Sequence, residues 1–210
     1  LGEVTFGRED EIVTYIARSM EPSRGIHVIL RALPALQKAR PKARIAIIGS
    51  DDISYGSRLP DGQTFRGLIM KQLGDSVDWS RVHFVGQIPY ASLIRLLQLS
   101  RCHVYLTAPF VVSWSLLEAM ALEKIVVASD VAPVRSYIQH GRTGYLVDFF
   151  SPDALAAQIT DVLAHRQNDR EIGQAARRMV VGGYDFEKVS LPLWLRLLNG
   201  QLPKAKHVAL

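Results

Sequence analysis

The sequence predicts an α/β fold in which a doubly wound parallel sheet of six strands is covered by helices on both faces. Short apolar runs typical of strands alternate with segments of helical periodicity along the chain. Each strand run is continuously apolar instead of alternating between apolar and polar residues, which indicates strands buried on both sides. With 48% hydrophobic and 21% charged residues among 210, the chain can form one full core. We therefore expect a single domain over residues 1–210.

Six segments rich in β-branched and aromatic residues favour strands. The predicted strands are Ile12–Ala17, Ala43–Ile48, Val82–Val85, Cys102–Leu106, Ile125–Ser129 and Gly144–Asp148. A polar segment rich in Gly and Pro follows the second strand as far as Gln63. Loops of that length are commonly functional or mobile.

Helices are predicted where apolar residues recur every three or four positions. Pro34 lies inside the first helix and can kink it, Thr64 caps the second, Gly74 closes it, and Ser151 begins the sixth. The remaining bounds follow from the same periodicity. The predicted helices are Gly25–Arg40, 64–74, one bearing Leu93–Leu99, one within 107–123, 133–139, Pro152–Ala164, 169–181 and 186–199.

The basic charge balance bears on the class of partner. A net charge of +5 is compatible with a nucleic acid or an anionic membrane. The basic residues are dispersed, however, and lack the interleaved aromatic residues of a base-stacking surface. Solvated helix faces and an anionic small ligand explain them better, so we expect no nucleic-acid partner. Peripheral association with a membrane surface stays open.

Cysteine usage and hydropathy indicate the compartment. The single cysteine, Cys102, excludes an internal disulfide framework and fits a reducing environment. No window approaches 18 unbroken apolar residues, and the first residues do not resemble a signal peptide. We therefore expect a cytoplasmic protein. Because the chain lacks an initiator Met, we expect it to be a piece of a longer protein.

The segment most informative about function is 107–123, which lies between two predicted buried strands as a loop and a helix. Ser113 or Ser115 can cap this helix, and its apolar residues predict that it is buried. Glu118 does not fit, because a carboxylate removed from water costs several kcal/mol unless donors surround it. One interpretation is a phosphate at the helix start with ribose hydroxyls on Glu118. The other is a buried arginine or backbone donor.

A second group of polar residues follows directly after predicted strands, at the edge where parallel sheets bind ligands. Gly49 and Asp51 follow the second strand, and Arg18 and Arg24 lie on one loop after the first. Two guanidinium groups beside a helix start would clamp a diphosphate through charge-assisted hydrogen bonds. A solvated surface loop is the alternative.

Metal dependence is not indicated. Asp51 and Asp52 are adjacent and form no Asp-x-Asp pattern, and the six histidines show no ligand spacing. We therefore expect no metal site and no cofactor.

These motifs resemble a known family. The run from Leu116 to Ala121, Leu-Leu-Glu-Ala-Met-Ala, is similar to the signature of the retaining nucleotide-sugar glycosyltransferases of GT-B fold, glycosyl transferases group 1. The loop carrying Ala17-Arg18 and Arg24-Gly25 resembles the family's Gly-Arg…Lys-Gly pattern, and the resemblance covers roughly residues 12–190. It implies a Rossmann-like domain, one half of a GT-B fold, that binds a nucleoside-diphosphate sugar.

The resemblance also implies roles for individual residues. Glu118 would bind the donor ribose, and Arg18 and Arg24 would stabilise the leaving diphosphate as catalytic residues. Phe110 takes the place of a family glutamate that touches the donor sugar. Further donor contacts are implied for the amides of Ser113, Trp114 and Ser115, for Gln87 and Ile88 at the base, and for Gly49 and Asp51.

The implied reaction is metal-independent sugar transfer with retention of anomeric configuration. This chain would be the C-terminal, donor-binding half, inactive alone, and an N-terminal domain with most acceptor contacts would be absent from it. Phe110, Ser136 and Glu123 depart from the family pattern, which has Glu, Glu and Gly there. These departures favour a second hypothesis, a non-catalytic nucleotide-sugar-binding or scaffold module. A third, a nucleotide-sugar epimerase of the same fold, would need acid and base residues that the sequence does not offer.

Overall fold

A six-stranded parallel sheet forms the centre of the molecule in the computed structural model, which describes residues 5–7 and 9–201, with the backbone alone for 166–169. The strand order is β3-β2-β1-β4-β5-β6, so the order reverses between β1 and β4. The predicted α/β class is confirmed. The strands are β1 (Glu11–Ser19), β2 (Ala43–Ser50), β3 (Val82–Gly86), β4 (Cys102–Tyr105), β5 (Ile125–Ser129) and β6 (Tyr145–Val147).

Helices cover both faces because the strands bury side chains on both. Val13 and Tyr15 of β1 face one core cluster, and Ile12 and Ile16 face the clusters on the opposite side. Single 3₁₀ turns also occur, including one at Pro22–Arg24. The helices are α1 (Ile26–Ala39), α2 (Phe65–Leu73), α3 (Tyr90–Leu99), α4 (Trp114–Ala121), α5 (Ala132–Arg135), α6 (Pro152–Ala164), α7 (Arg166–Tyr184) and α8 (Leu191–Leu198).

The helix starts follow the predicted caps in two cases. The Thr64 hydroxyl accepts a hydrogen bond from the Gly67 amide at 3.0 Å, and the Ser151 hydroxyl accepts one from Ala154 at 3.2 Å. The predicted helix 133–139 ends early, at Arg135. The predicted helix 186–199 opens with a π-helical turn over Phe186–Ser190.

A glycine allows the carboxyl ends of the neighbouring strands β1 and β2 to approach each other closely. Gly49 has φ +142°, and a Cβ there would lie 1.8 Å from the Ala17 carbonyl oxygen. The register between the two strands shifts between Ile16 and Ser19 at the same place. A side chain at position 49 would therefore push the end of β1 out of place.

The helix of the signature motif ends in a Schellman motif. The Glu123 amide donates to the Met120 carbonyl at 3.0 Å, and the Lys124 amide donates to the Ala119 carbonyl at 2.9 Å. Glu123 has φ 59°, a left-handed conformation that favours glycine. The departure from the family pattern at position 123 thus lies where α4 ends, away from the edge of the sheet where α4 begins.

The last helix carries an exposed apolar surface. Trp194 is 59% exposed and Leu198 is 78% exposed, and no residue of α8 is buried. Within the part of the chain that the structure describes, no helix has both the length and the hydropathy to cross a membrane.

Candidate functional site

Two strand-to-helix turns meet at the point where the strand order reverses. The β1–α1 turn, residues 18–25, and the β4–α4 turn, residues 106–113, follow neighbouring strands. The Ala108 amide donates to the Ser23 carbonyl at 2.8 Å. A Cβ on Gly25 would lie 2.5 Å from the Leu106 Cβ, so the turns are in direct contact. Ligands of open parallel sheets bind in this position.

Arg24 is held at the junction of the two turns. Its Nη1 donates to the Thr107 hydroxyl at 3.2 Å, and the Tyr15 hydroxyl donates to its backbone carbonyl at 2.6 Å. The Arg24 guanidinium carbon lies 5.5 Å from the centroid of the Phe110 ring and 5.9 Å from that of Tyr55. These contacts fix the direction of the cation before any ligand binds.

Arg18 differs from Arg24 because its side chain is exposed at the end of β1. Its backbone carbonyl accepts a hydrogen bond from the Ser50 hydroxyl at 3.3 Å. No carboxylate among the described side chains, those of residues 5–7, 9–165 and 170–201, forms an ion pair with Arg18 or Arg24. The same edge of the sheet therefore carries two cations whose charge no acidic side chain pairs.

Glu118 lies one turn into α4 and is only partly buried, so its predicted full burial is wrong. Burial raises the pKa of the Tyr90 hydroxyl first, and hydrogen bonding to Glu118 and its negative charge raise it further. Tyr90 begins α3, directly after β3. Among the described residues no arginine pairs with Glu118, so the structural alternative of a buried ion pair is not observed.

One of the three backbone amides predicted to contact a diphosphate at the start of α4 instead donates to a side chain of the protein. The Ser113 amide donates to the Tyr105 hydroxyl at 2.8 Å, and the hydroxyls of Ser113 and Ser115 lie 2.8 Å apart. Ser113 occupies the N-cap position, but its side chain caps no helix amide. Trp114 is 80% exposed. The predicted diphosphate contacts at this helix start stay a prediction for all three residues.

An aromatic pair forms the outer wall of the site. The rings of Tyr55 and Phe110 lie 5.1 Å apart, and they are 66% and 45% exposed. Phe110 stands where the family motif has a glutamate, so an apolar ring replaces a carboxylate beside Arg24.

The remaining predicted donor residues are divided between the site and the core. Asp51 forms an ion pair with Arg66, so its carboxylate is engaged within the protein. Gln87 is exposed after β3, whereas Ile88 packs on a core cluster. Gly49 permits the close approach of β1 and β2 described above.

Residues that the sequence did not single out complete the edge: Glu21, Tyr55, Tyr90 and Thr107. Glu21 is 1% exposed in the β1–α1 turn, and its Oε2 accepts from the amides of Tyr55 and Gly56 at 3.2 and 2.9 Å. An acidic residue between two arginines in a strand-end turn is the sequence signal that could have indicated it.

Buried histidine chemistry does not belong to this edge. His103 on β4 is fully buried, and its Nδ1 lies 3.0 Å from the Thr14 hydroxyl. Burial lowers the pKa of His103 to about 3, so the ring is neutral. The described residues contain no group of three or more His, Cys, Asp or Glu side chains arranged to hold a metal ion.

Fold and site define a Rossmann-like domain with a cationic ligand edge at the switch point of its sheet. The family model for glycosyl transferases group 1 matches residues 3–179, and the chain belongs to this family. The predicted family and its GT-B half-fold are therefore confirmed.

Individual relatives show the extent of the match. Phosphatidyl-myo-inositol mannosyltransferase of Mycobacterium tuberculosis is 31% identical over 192 residues, 88% of this chain and 46% of that protein. Anabaena HepE, solved in complex with UDP and glucose, superposes with a TM-score of 0.77 at 19% identity, covering 90% of this chain and 48% of HepE.

A third match is to a domain solved alone. The C-terminal domain of a glycosyl transferase group 1 family protein from Francisella tularensis superposes with a TM-score of 0.69 at 19% identity, over 83% of this chain and 87% of that one. The chain thus spans about half the length of the curated relatives that it matches.

Proposed function

We propose that this domain binds the nucleoside-diphosphate sugar donor of a glycosyltransferase that transfers the sugar with retention of anomeric configuration and without a metal ion. The observation that carries the proposal is the pair of guanidinium groups, Arg18 and Arg24, at the point where the strand order reverses, with no carboxylate partner among the described side chains. A cationic edge of this kind matches a diphosphate.

The chemistry follows from where negative charge grows. When the bond between sugar and diphosphate breaks, the leaving group gains negative charge, which nearby cations stabilise. Arg24 needs little reorientation because Thr107 and the aromatic pair already hold it. Two cations, one of them held in advance, can supply the stabilisation that a bound metal ion supplies in other transferases.

The nucleoside would lie along α4 and β3. Glu118 is partly exposed beside Tyr90, so its carboxylate can accept hydrogen bonds from ribose hydroxyls. Gln87 and Ile88 follow β3 at the same edge and would meet the base. The UDP complex of Anabaena HepE and the mannosyltransferase activity named for the mycobacterial relatives support this donor class.

The acceptor would be bound by a part of the protein outside this chain. The relatives have about as many further residues as the match covers. We therefore expect the 210-residue chain to bind a nucleoside diphosphate weakly and to transfer no sugar.

A second candidate is a non-catalytic nucleotide-sugar-binding module, favoured by the apolar ring of Phe110 where the family has a carboxylate. Ser136 is exposed at the end of α5 and gives the same candidate little support. Glu123 gives it less, because it closes α4 at the helix end far from Arg24.

Calorimetric titration of the chain with UDP, GDP and their monophosphates tests the donor class. We expect Arg24→Ala to weaken diphosphate binding at least roughly tenfold, because charge-assisted hydrogen bonds are lost. Glu118→Ala should weaken the binding of all four nucleotides, because all of them contain the ribose. Arg196→Ala on exposed α8 is the matched control and should bind as wild type. Equal binding by wild type and Arg24→Ala would reject the proposal.

The longer protein decides between enzyme and binding module. A labelled donor should yield a product with the anomeric configuration of the donor, and the yield should persist in excess chelator. Tight donor binding without consumption of the donor would favour the non-catalytic module.

A further inference from the structure

A buried carboxylate lies in the β1–α1 turn beside the predicted diphosphate site. Glu21 is 1% exposed, and its Oε1 has no hydrogen-bond partner among the described residues. Burying a carboxylate costs several kcal/mol unless its oxygens are satisfied, and here only Oε2 is. Its Oε2 accepts from two backbone amides, those of Tyr55 and Gly56. Such a residue costs stability, so a specific task would explain its presence.

The two amides belong to the long segment after β2, residues 51–63. Two further hydrogen bonds join the neighbourhood of that segment to the β1–α1 turn. The hydroxyls of Ser19 and Ser54 lie 2.5 Å apart, and the Met20 amide donates to the Ser50 carbonyl at 2.8 Å. Glu21 is the charged member of this set, and its bonds reach the residue that carries the aromatic ring.

Fixing the Tyr55 backbone places the Tyr55 ring. That ring lies 5.1 Å from Phe110, and the guanidinium carbon of Arg24 lies within 6 Å of both ring centroids. The Arg24 amide also donates to the Glu21 carbonyl at 3.0 Å. Glu21 is therefore linked to Arg24 in two ways. Its carbonyl accepts from the Arg24 amide, and its carboxylate accepts from the amide of Tyr55, whose ring lies beside the Arg24 guanidinium.

We propose that Glu21 is a positioning residue that holds Tyr55 against Phe110 and thereby directs the Arg24 guanidinium toward the distal phosphate of a bound nucleoside diphosphate. The proposal rests on the proposed function. Glu21 does not touch the phosphates, because a carboxylate would repel them and its oxygens are enclosed. Glu21 should therefore affect the binding of the distal phosphate alone and leave the binding of the rest of the nucleotide unchanged.

The ratio of monophosphate to diphosphate dissociation constants tests this role. Titration of the 210-residue chain with UDP and UMP, and with GDP and GMP, identifies the base that wild type binds. With that base, we expect Glu21→Gln to weaken diphosphate binding roughly tenfold, the value of one charge-assisted contact, and to leave monophosphate binding unchanged. Glu187→Gln, an exposed carboxylate beyond α7, is the matched control and should leave the ratio unchanged.

Tyr55→Ala provides the second arm, because an exposed ring can be removed without disturbing the core. It should lower the same ratio, and the double variant should lose no more than either single variant, since both act through one contact. An unchanged ratio in Tyr55→Ala overturns the proposal even if Glu21→Gln fails to fold.

The following outcomes also overturn it. If Glu21→Gln weakens both nucleotides equally, or lowers only thermal stability, Glu21 is merely structural. If wild type binds neither diphosphate, the proposed function fails and this inference fails with it. A wild type that prefers the diphosphate, with Glu21→Gln sharing that preference, rejects the inference alone.

Discussion

The two turns that meet at the switch point are built in opposite ways. In the β1–α1 turn, Met20 and Glu21 are buried, the Tyr15 hydroxyl donates to the Arg24 backbone carbonyl, and the Glu21 carboxylate accepts from the Tyr55 amide. In the β4–α4 turn and the helix start after it, Phe110, Val111 and Trp114 are 45%, 72% and 80% exposed. One turn is fixed by the protein, whereas the other presents apolar side chains to its surroundings.

The difference separates two tasks of a ligand site. A cation that must face a growing negative charge is most effective when the protein holds it in advance, and Arg24 lies on the fixed turn. Exposed large apolar side chains that lie together commonly mark a contact surface. The β4–α4 turn therefore has the character of a surface that a ligand or another part of the protein covers.

The largest effect is expected for Gly25→Ala, which tests whether the fixed turn depends on close packing against its neighbour. Gly25 has φ +76°, and a Cβ there would lie 2.5 Å from Leu106 Cβ. Left-handed strain together with overpacking should lower the free energy of unfolding by about 3 kcal/mol, measured by urea denaturation.

Gly182→Ala is the control for that substitution. Gly182 lies in α7, and an added Cβ there would meet no atom within 4 Å apart from its chain neighbours and the backbone of its own helix. Alanine should raise the free energy of unfolding there by up to about 1 kcal/mol, because it is the better helix former. A neutral Gly25→Ala variant would show that the two turns do not constrain each other.

Acidification tests the link between the strands that carry the two turns. His103 on β4 contacts Thr14 on β1, and burial lowers the pKa of His103 from 6.5 to about 3. Below pH 6.5 the unfolded chain binds a proton at His103, whereas the native state does not. The contribution of His103 to the free energy of unfolding is therefore fully present above that pH and is lost as the pH falls. Between pH 7.5 and 5.5, the loss from this residue should be about 1 kcal/mol.

The His103→Leu variant is compared with wild type over the same pH interval. Its free energy of unfolding should fall less than that of wild type, and the difference should equal the contribution of His103. Burial also lowers the pKa of His27 and His83, so a smaller dependence of the same sign remains. Urea midpoints at the two pH values measure both proteins. An identical pH dependence in the variant would show that the pKa of His103 is the same in the native and the unfolded state.

Glu123→Gly examines the far end of the helix that starts at the exposed turn. Glycine should relieve the left-handed strain at φ 59° and raise the free energy of unfolding by about 1 kcal/mol. The ion pair with Arg177 has its closest atoms 3.8 Å apart and is half-exposed, so its loss should cost little. A fall in thermal midpoint would mean that this pair outweighs the strain.

The smallest effect is expected for Trp114→Ala, at the start of the helix that follows the β4–α4 turn. A side chain that is 80% exposed buries little area, so stability should change by less than about 0.5 kcal/mol. The same urea assay applies. A loss of several kcal/mol would remove the contrast between the two turns.

Some of the site could be predicted from the sequence, and some could not. Arg18, Arg24 and the helix of Glu118 were expected at the carboxyl edge, because they directly follow apolar strand runs. The full burial of Glu118 was wrong, since apolar neighbours do not specify which face of a helix is covered. Tyr55 and Glu21 were missed because their contacts join segments 34 and 35 residues apart.

The sequence alone determined the alternation of strands and helices, the family and the cationic character of the strand ends, because periodicity and motif spacing are local properties. The tertiary structure decided that β1 lies beside β4, that Tyr55 packs on Phe110, and that Arg24 of one turn contacts Thr107 of the other. Those relations depend on strand order and on how distant segments pack, and neither is encoded in any single stretch of residues.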